Sequence, residues 1–125
     1  MPTEPIKKTV LPDAGWQEYL QWLLGRRRRF VVRERSMIPT LMPGDTVLAE
    51  IEGGLQSGDI AIASHPTHPG LLLIKRVQET FYGGGVYLIS DNTEESTARD
   101  SRHFGVLTKD HIIGRVTSRL AVASV

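Results

Sequence analysis

From Asp13 onward, the apolar residues Trp16, Tyr19, Leu20, Leu23 and Leu24 recur at spacings of three and four. That is the period of one face of an α-helix. Asp13 is placed to cap the start of this helix, and Gly25 to end it in a left-handed turn. The preceding residues, 1–12, hold three prolines and little periodicity, and they read as a loose arm. Beyond Phe30 the chain changes to short runs rich in Val, Ile and Leu, which predict strands at Phe30–Glu34, Thr46–Ile51, Asp59–Ser64, Leu71–Gln78, Val86–Ser90 and His111–Ser118. The turn signals Pro43-Gly44-Asp45, Ser57-Gly58-Asp59 and Gly83-Gly84-Gly85 separate several of them. Short strands with such punctuation predict a mainly β fold of coiled antiparallel sheets, a partly open barrel, with one short N-terminal helix. There are no internal repeats or low-complexity segments.

Composition narrows the function. A chain of 125 residues is one domain with a modest core. The net charge of +1 gives no global electrostatic case for nucleic acid. The absence of cysteine excludes disulfides, thiol catalysis and thiolate metal sites. No apolar run approaches the ~20 residues that span a bilayer, and the N-terminus lacks the charged start and apolar stretch of a signal peptide. The expected setting is therefore soluble and cytoplasmic, without a transmembrane anchor.

Two residues carry the candidate chemistry. Ser36 opens the run Ser36-Met37-Ile38-Pro39-Thr40-Leu41, and Lys75 is the one lysine in the apolar run Leu71 to Val77. A serine hydroxyl is a poor nucleophile until a base takes its proton. A lysine can act as that base only when its amine is neutral, and apolar burial favours the neutral form. Leu73, Ile74 and Val77 supply that burial if Lys75 points inward, which turns Arg76 to the opposite side of the strand. The alternatives are a turn serine and a solvated edge lysine. A Ser-Lys pair is a variant of the hydrolytic triad.

Four blocks extend the pattern: SMIPTLMPGD at 36–45, SGDIAIA at 57–63, LIKRV at 73–77, and SDN at 90–92 with DSRHFGV at 100–106 and IIGRV at 112–116. In this order they resemble the signal-peptidase-like serine proteases. The short chain, the LLGRRRRF lead-in and the HP…LLLIKRV stretch look most like the small proteases that mature nickel-containing superoxide dismutase. The resemblance implies a signal-peptidase/LexA-like β domain at 30–125 behind an N-terminal arm, helix and basic run at 1–29. It implies Ser36 as nucleophile, Lys75 as general base, and Ser96, with Ser101 as a rival, as the residue orienting the lysine. Asp91, Asn92, Asp100 and Arg102 would support the site, the last two as an ion pair, and Met37 would line the pocket for a small side chain. The backbone N–H of Ser36 would serve the oxyanion. The substrate implied is a protein, a nickel superoxide dismutase precursor from which an N-terminal propeptide is removed, and no cofactor is implied.

Three departures from the family pattern stand out. Glu34 occupies the oxyanion position where Gly or Ser is usual, Ser90-Asp91-Asn92 replaces Gly-Asp-Asn, and two extra residues fall within Thr97-Ala98-Arg99. A carboxylate at Glu34 repels a developing oxyanion unless it points away or pairs with Arg33 or Arg35.

Other readings remain open. They are signal-peptidase-type processing of other precursors, a LexA-like self-cleaving protein with Ala14-Gly15 as a candidate bond, and an inactive binding module. His65 and His68 flank Pro66-Thr67 without a convincing third ligand, so no metal site is expected. Arg26 to Arg29 read first as a solvated charge run. A weak membrane-surface contact is an alternative, and the helix before them is expected to pack on the sheet or to recognise the substrate.

Overall fold

The computed structural model describes residues 6–51, 53–94 and 99–121. Helix α1 covers Trp16–Leu23, and the strands are β1 (Arg28–Val31), β2 (Thr46–Ile51), β3 (Ile60–Ser64), β4 (Leu72–Thr80), β5 (Val86–Ile89) and β6 (Ile112–Ala121). They form one open antiparallel sheet in the order β1-β2-β6-β3-β4-β5. A four-residue helix, α2 (Ser101–Phe104), was not anticipated; the Asp100 side chain caps it by accepting from the Arg102 N–H.

The sheet is buried on both faces at its centre. In β3, Ile60 and Ile62 join one apolar cluster with Val32, Met37, Leu41, Val47, Ala49 and Val116. The alternating Ala61 and Ala63 join a second with Leu73, Val77, Val86, Leu88 and Leu107. A two-sided position explains the unbroken IAIA run, because a strand with one wet face would alternate with polar residues. Strand β6 crosses β2 so closely that a Cβ on Gly114 would lie 2.5 Å from the Glu50 carbonyl oxygen. Glycine is what lets the two backbones pair there.

Two expectations about the N-terminal segment are corrected. Asp13 does not cap α1: the cap position is Gly15, without a side-chain bond, and the Asp13 carboxylate instead accepts from Arg119 at 3.2 Å. Gly25 does adopt the left-handed turn, with φ of 78°. The arm is also less free than its composition implied. Thr9 N–H donates to the Gly58 carbonyl at 3.0 Å, and Arg119 N–H donates to the Pro12 carbonyl at 2.9 Å.

Candidate active site

Ser36 sits in the loop between β1 and β2. The base of the loop is closed by Val32 N–H to the Asp45 carbonyl at 2.8 Å and Gly44 N–H to the Val32 carbonyl at 2.7 Å. Within it, Met37 and Leu41 bury their side chains in the core and act as pegs, which leaves Ser36 at the rim. The loop is then stitched to the segment after β5. Asn92 N–H donates to the Ser36 carbonyl at 2.8 Å and its side-chain amide to the Arg35 carbonyl at 2.9 Å. Thr40 donates its hydroxyl to Asp91 at 2.6 Å.

Lys75 lies in β4, one residue from Arg76, and strand alternation turns the two side chains to opposite faces. Both are fully buried. Arg76 forms a two-pronged pair with Asp91, 3.1 Å through Nε and 2.7 Å through Nη2, and also donates to the carbonyls of Gly58 and Thr9. Burial pushes the Asp91 carboxyl up, but the bonds from Arg76 and Thr40 outweigh it and hold the group below its ordinary value. Asp91 therefore clamps the serine loop to the lysine strand.

The Lys75 ammonium donates to Ser90 Oγ at 3.3 Å. Ser90 in turn gives its hydroxyl and its backbone N–H to Asp100 Oδ2, each at 2.9 Å. Arg102 pairs with the same carboxylate at 2.8 Å. Burial raises the Asp100 carboxyl, yet the bonds from Arg102 and Ser90 bring it below its ordinary value, so it stays an anion and an acceptor. For Lys75, burial is the largest influence and lowers the amine below the ordinary lysine range, while Glu34 and Asp100 oppose it. The site favours a neutral lysine more than water does.

Ser96 lies outside the described residues. Its rival Ser101 does not reach the lysine: its hydroxyl oxygen accepts the Leu88 N–H at 2.8 Å. Among the described residues the hydroxyl that the Lys75 amine meets is that of Ser90, which stood in the sequence only as an exception to a glycine. Register explains this. Arg76 pairs with Ile89, so Lys75 and Ser90 are the next cross-strand neighbours.

Glu34 points neither away nor to Arg33 or Arg35. Its carboxylate lies 3.7 Å from Lys75 Nζ. It also lines a cleft of about 380 Å³ with Ser36, Met37, Val32, Ile62, Leu72 and Ile74. Glu34 is thus the group common to the serine cleft and the lysine amine. No hydrogen bond joins Ser36 Oγ to Lys75 directly among the described residues; the amine is held by Ser90 and Glu34. Met37 is buried in the core cluster and also lines the cleft.

His65 and His68 meet with their Nδ1 atoms 3.1 Å apart, and the Thr67 N–H donates to His65. Among the described residues no third His, Cys, Asp or Glu completes a metal-holding group. Among them, too, no helix is long and apolar enough to cross a membrane.

An antiparallel sheet that anchors a serine loop beside a buried lysine of lowered basicity belongs to the serine-peptidase type. The family model described as Peptidase S24-like matches residues 27–117, and the chain belongs to that family. The match takes in β1 through most of β6, and with them Ser36, Lys75 and Ser90. A search of curated proteins finds no match.

Proposed function

We propose that the protein is a site-specific endopeptidase in which Ser36 is the nucleophile and Lys75 the general base. The observation that carries this reading is the environment of Lys75: fully buried, its basicity lowered by burial, and oriented by a Ser90–Asp100–Arg102 chain. A structural lysine has no need of such a setting, whereas a base must be neutral and aimed. In the reaction Ser36 Oγ attacks the scissile carbonyl while Lys75 takes its proton. The N–H of Ser36 faces the oxyanion, Lys75 passes the proton to the leaving amine, and water then releases the acyl-enzyme. Glu34 must give up its contact with Lys75 for the amine to turn to Ser36.

For the substrate we propose a precursor whose N-terminal propeptide is removed, that of nickel superoxide dismutase by the sequence resemblance. Intact-mass analysis of that precursor incubated with the wild type, Ser36→Ala and Lys75→Ala tests both parts. Release of one defined N-terminal segment by the wild type alone, with at least a thousandfold loss in each variant, is expected. Cleavage that survives in Lys75→Ala overturns the mechanism, and an intact precursor with the wild type overturns the substrate.

Membership of the Peptidase S24-like family keeps self-cleavage as a second reading. The candidate bond Ala14-Gly15 is held in structure: Ala14 N–H donates to the Arg119 carbonyl at 2.8 Å, and the Gly15 carbonyl accepts from Glu18 and Tyr19. Self-cleavage would need this segment to detach. Fragmentation on standing that disappears in Ser36→Ala would favour it.

A further inference from the structure

Helix α1 is turned inside out. At 100° per residue, Trp16, Tyr19, Leu20, Leu23 and Leu24 fall within an arc of about 140°. All five are exposed, Trp16 at 73% and Leu23 at 83%, and α1 buries no residue at all. The opposite, polar side holds the helix to the protein. Glu18 accepts hydroxyl bonds from Thr117 and from Ser118, the latter at 2.8 Å, and pairs with Arg27 at 3.2 Å. The helix, expected to pack on the sheet or to recognise the substrate, meets the sheet through its carboxylate side and leaves its apolar side to solvent.

We propose that this face is a docking surface for an anionic phospholipid bilayer. Its chemistry selects that occupant. Arg26, Arg28 and Arg29 follow directly after Gly25, are exposed, and pair with no carboxylate among the described residues. Arg26 is two residues from Leu24, about 7 Å of chain at most. The only acid of α1 is Glu18, which faces inward. An indole, a phenol and leucines beside unpaired arginines suit the boundary between lipid headgroups and acyl chains. A second copy suits them less, because a two-fold interface brings the same patch to itself, and this patch holds no acid to answer the arginines. From the basic run, β1 passes directly into the cleft wall at Arg29 to Val32. Docking would therefore hold the cleft within about 20 Å of the lipid surface.

The test uses the full chain and vesicles of equimolar phosphatidylglycerol and phosphatidylcholine. The two tryptophans of the protein, Trp16 and Trp22, are both in α1, so intrinsic fluorescence reports on this helix alone. Cosedimentation with the anionic vesicles and a blue-shifted emission are expected, with little of either on pure phosphatidylcholine. Leu20→Glu/Leu23→Glu should weaken binding at least about tenfold. Arg26→Gln and Arg28→Gln should each cost roughly fivefold. Circular dichroism confirms that these surface variants fold. The proposal is overturned by failure of the wild type to sediment with anionic vesicles, or by binding that Leu20→Glu/Leu23→Glu leaves intact. A concentration-dependent dimer that the same variant abolishes, without lipid binding, also overturns it.

Discussion

Replacing Glu34 by Gln removes one negative charge from beside the lysine and changes little else in shape. The carboxylate oxygen is 3.7 Å from Lys75 Nζ. At that distance two unit charges attract by about 1 kcal/mol in water-like surroundings and by about 4 kcal/mol at an effective dielectric of 20. Glu34 is 39% exposed, so the lower figure applies. About 1 kcal/mol is roughly a fivefold factor in an equilibrium. The sign follows from the cause: burial holds the Lys75 amine below the ordinary lysine value, and the Glu34 charge works against it by favouring the ammonium. Without that charge, more of the amine is neutral at any given pH. The ascending limb of the pH–rate profile, where Lys75 loses its proton, therefore moves to lower pH in Glu34→Gln. At a fixed pH on that limb, kcat/KM rises about fivefold. The alkaline plateau, where Lys75 is already neutral, gains only what the oxyanion gains from losing a nearby anion. Heteronuclear NMR of the Lys75 ε-methylene reads the same titration without a substrate. A Lys75 titration that stays where it was in Glu34→Gln would falsify the electrostatic coupling. A fall in rate at every pH would show instead that Glu34 takes part in the chemistry.

Four further substitutions probe the supports of the site and the sheet that carries it. Ser90→Ala removes the acceptor of the lysine amine and should lower kcat/KM by roughly tenfold and alter its pH profile. Ser101→Ala should cost a similar 1–3 kcal/mol of stability by orphaning the Leu88 N–H, with the pH profile unmoved; equal kinetic effects in the two variants would refute Ser90 as the orienting residue. Arg76→Met leaves the buried Asp91 carboxylate without its main partner, a loss of about 3–5 kcal/mol, and thermal unfolding should fall by on the order of 10 °C or more. Gly114→Val drives a side chain into the Glu50 carbonyl and should cost about 1–3 kcal/mol; an unchanged melting temperature would refute the close approach of β2 and β6.

Most strands were legible to within two residues because turn residues bounded them: β2 is Thr46–Ile51 as expected, and β3 and β5 differ only at one end. The first strand was less so. It begins at Arg28, inside a charge run, because edge pairing with β2 rather than apolar pattern defines it. The burial of Lys75 was also readable, from Leu73, Ile74 and Val77 around it. Helix periodicity identified which residues of α1 share a face but not which face meets the protein. That choice rests on Glu18 finding Thr117 and Ser118, about a hundred residues away, and no local pattern carries it.

The partner of the lysine was hidden for a different reason. In β4 and β5 the pairs Thr80–Val86 and Glu79–Tyr87 keep one register, and Val77–Leu88 and Arg76–Ile89 keep another, with an irregularity between Val77 and Glu79. Continued without that shift, the first register would set Asp91 opposite Lys75. The shift sets Ser90 there and sends Asp91 toward Arg76 on the other face. A carboxylate directly beside the amine would hold it charged, and a hydroxyl does not. One extra residue in one strand thus decides whether the Lys75 amine faces a carboxylate or a hydroxyl across the strands. It does so by moving the anion to the neighbouring arginine, where it clamps the serine loop. Among the described residues the one carboxylate left within 4 Å of the amine is Glu34, which also lines the cleft.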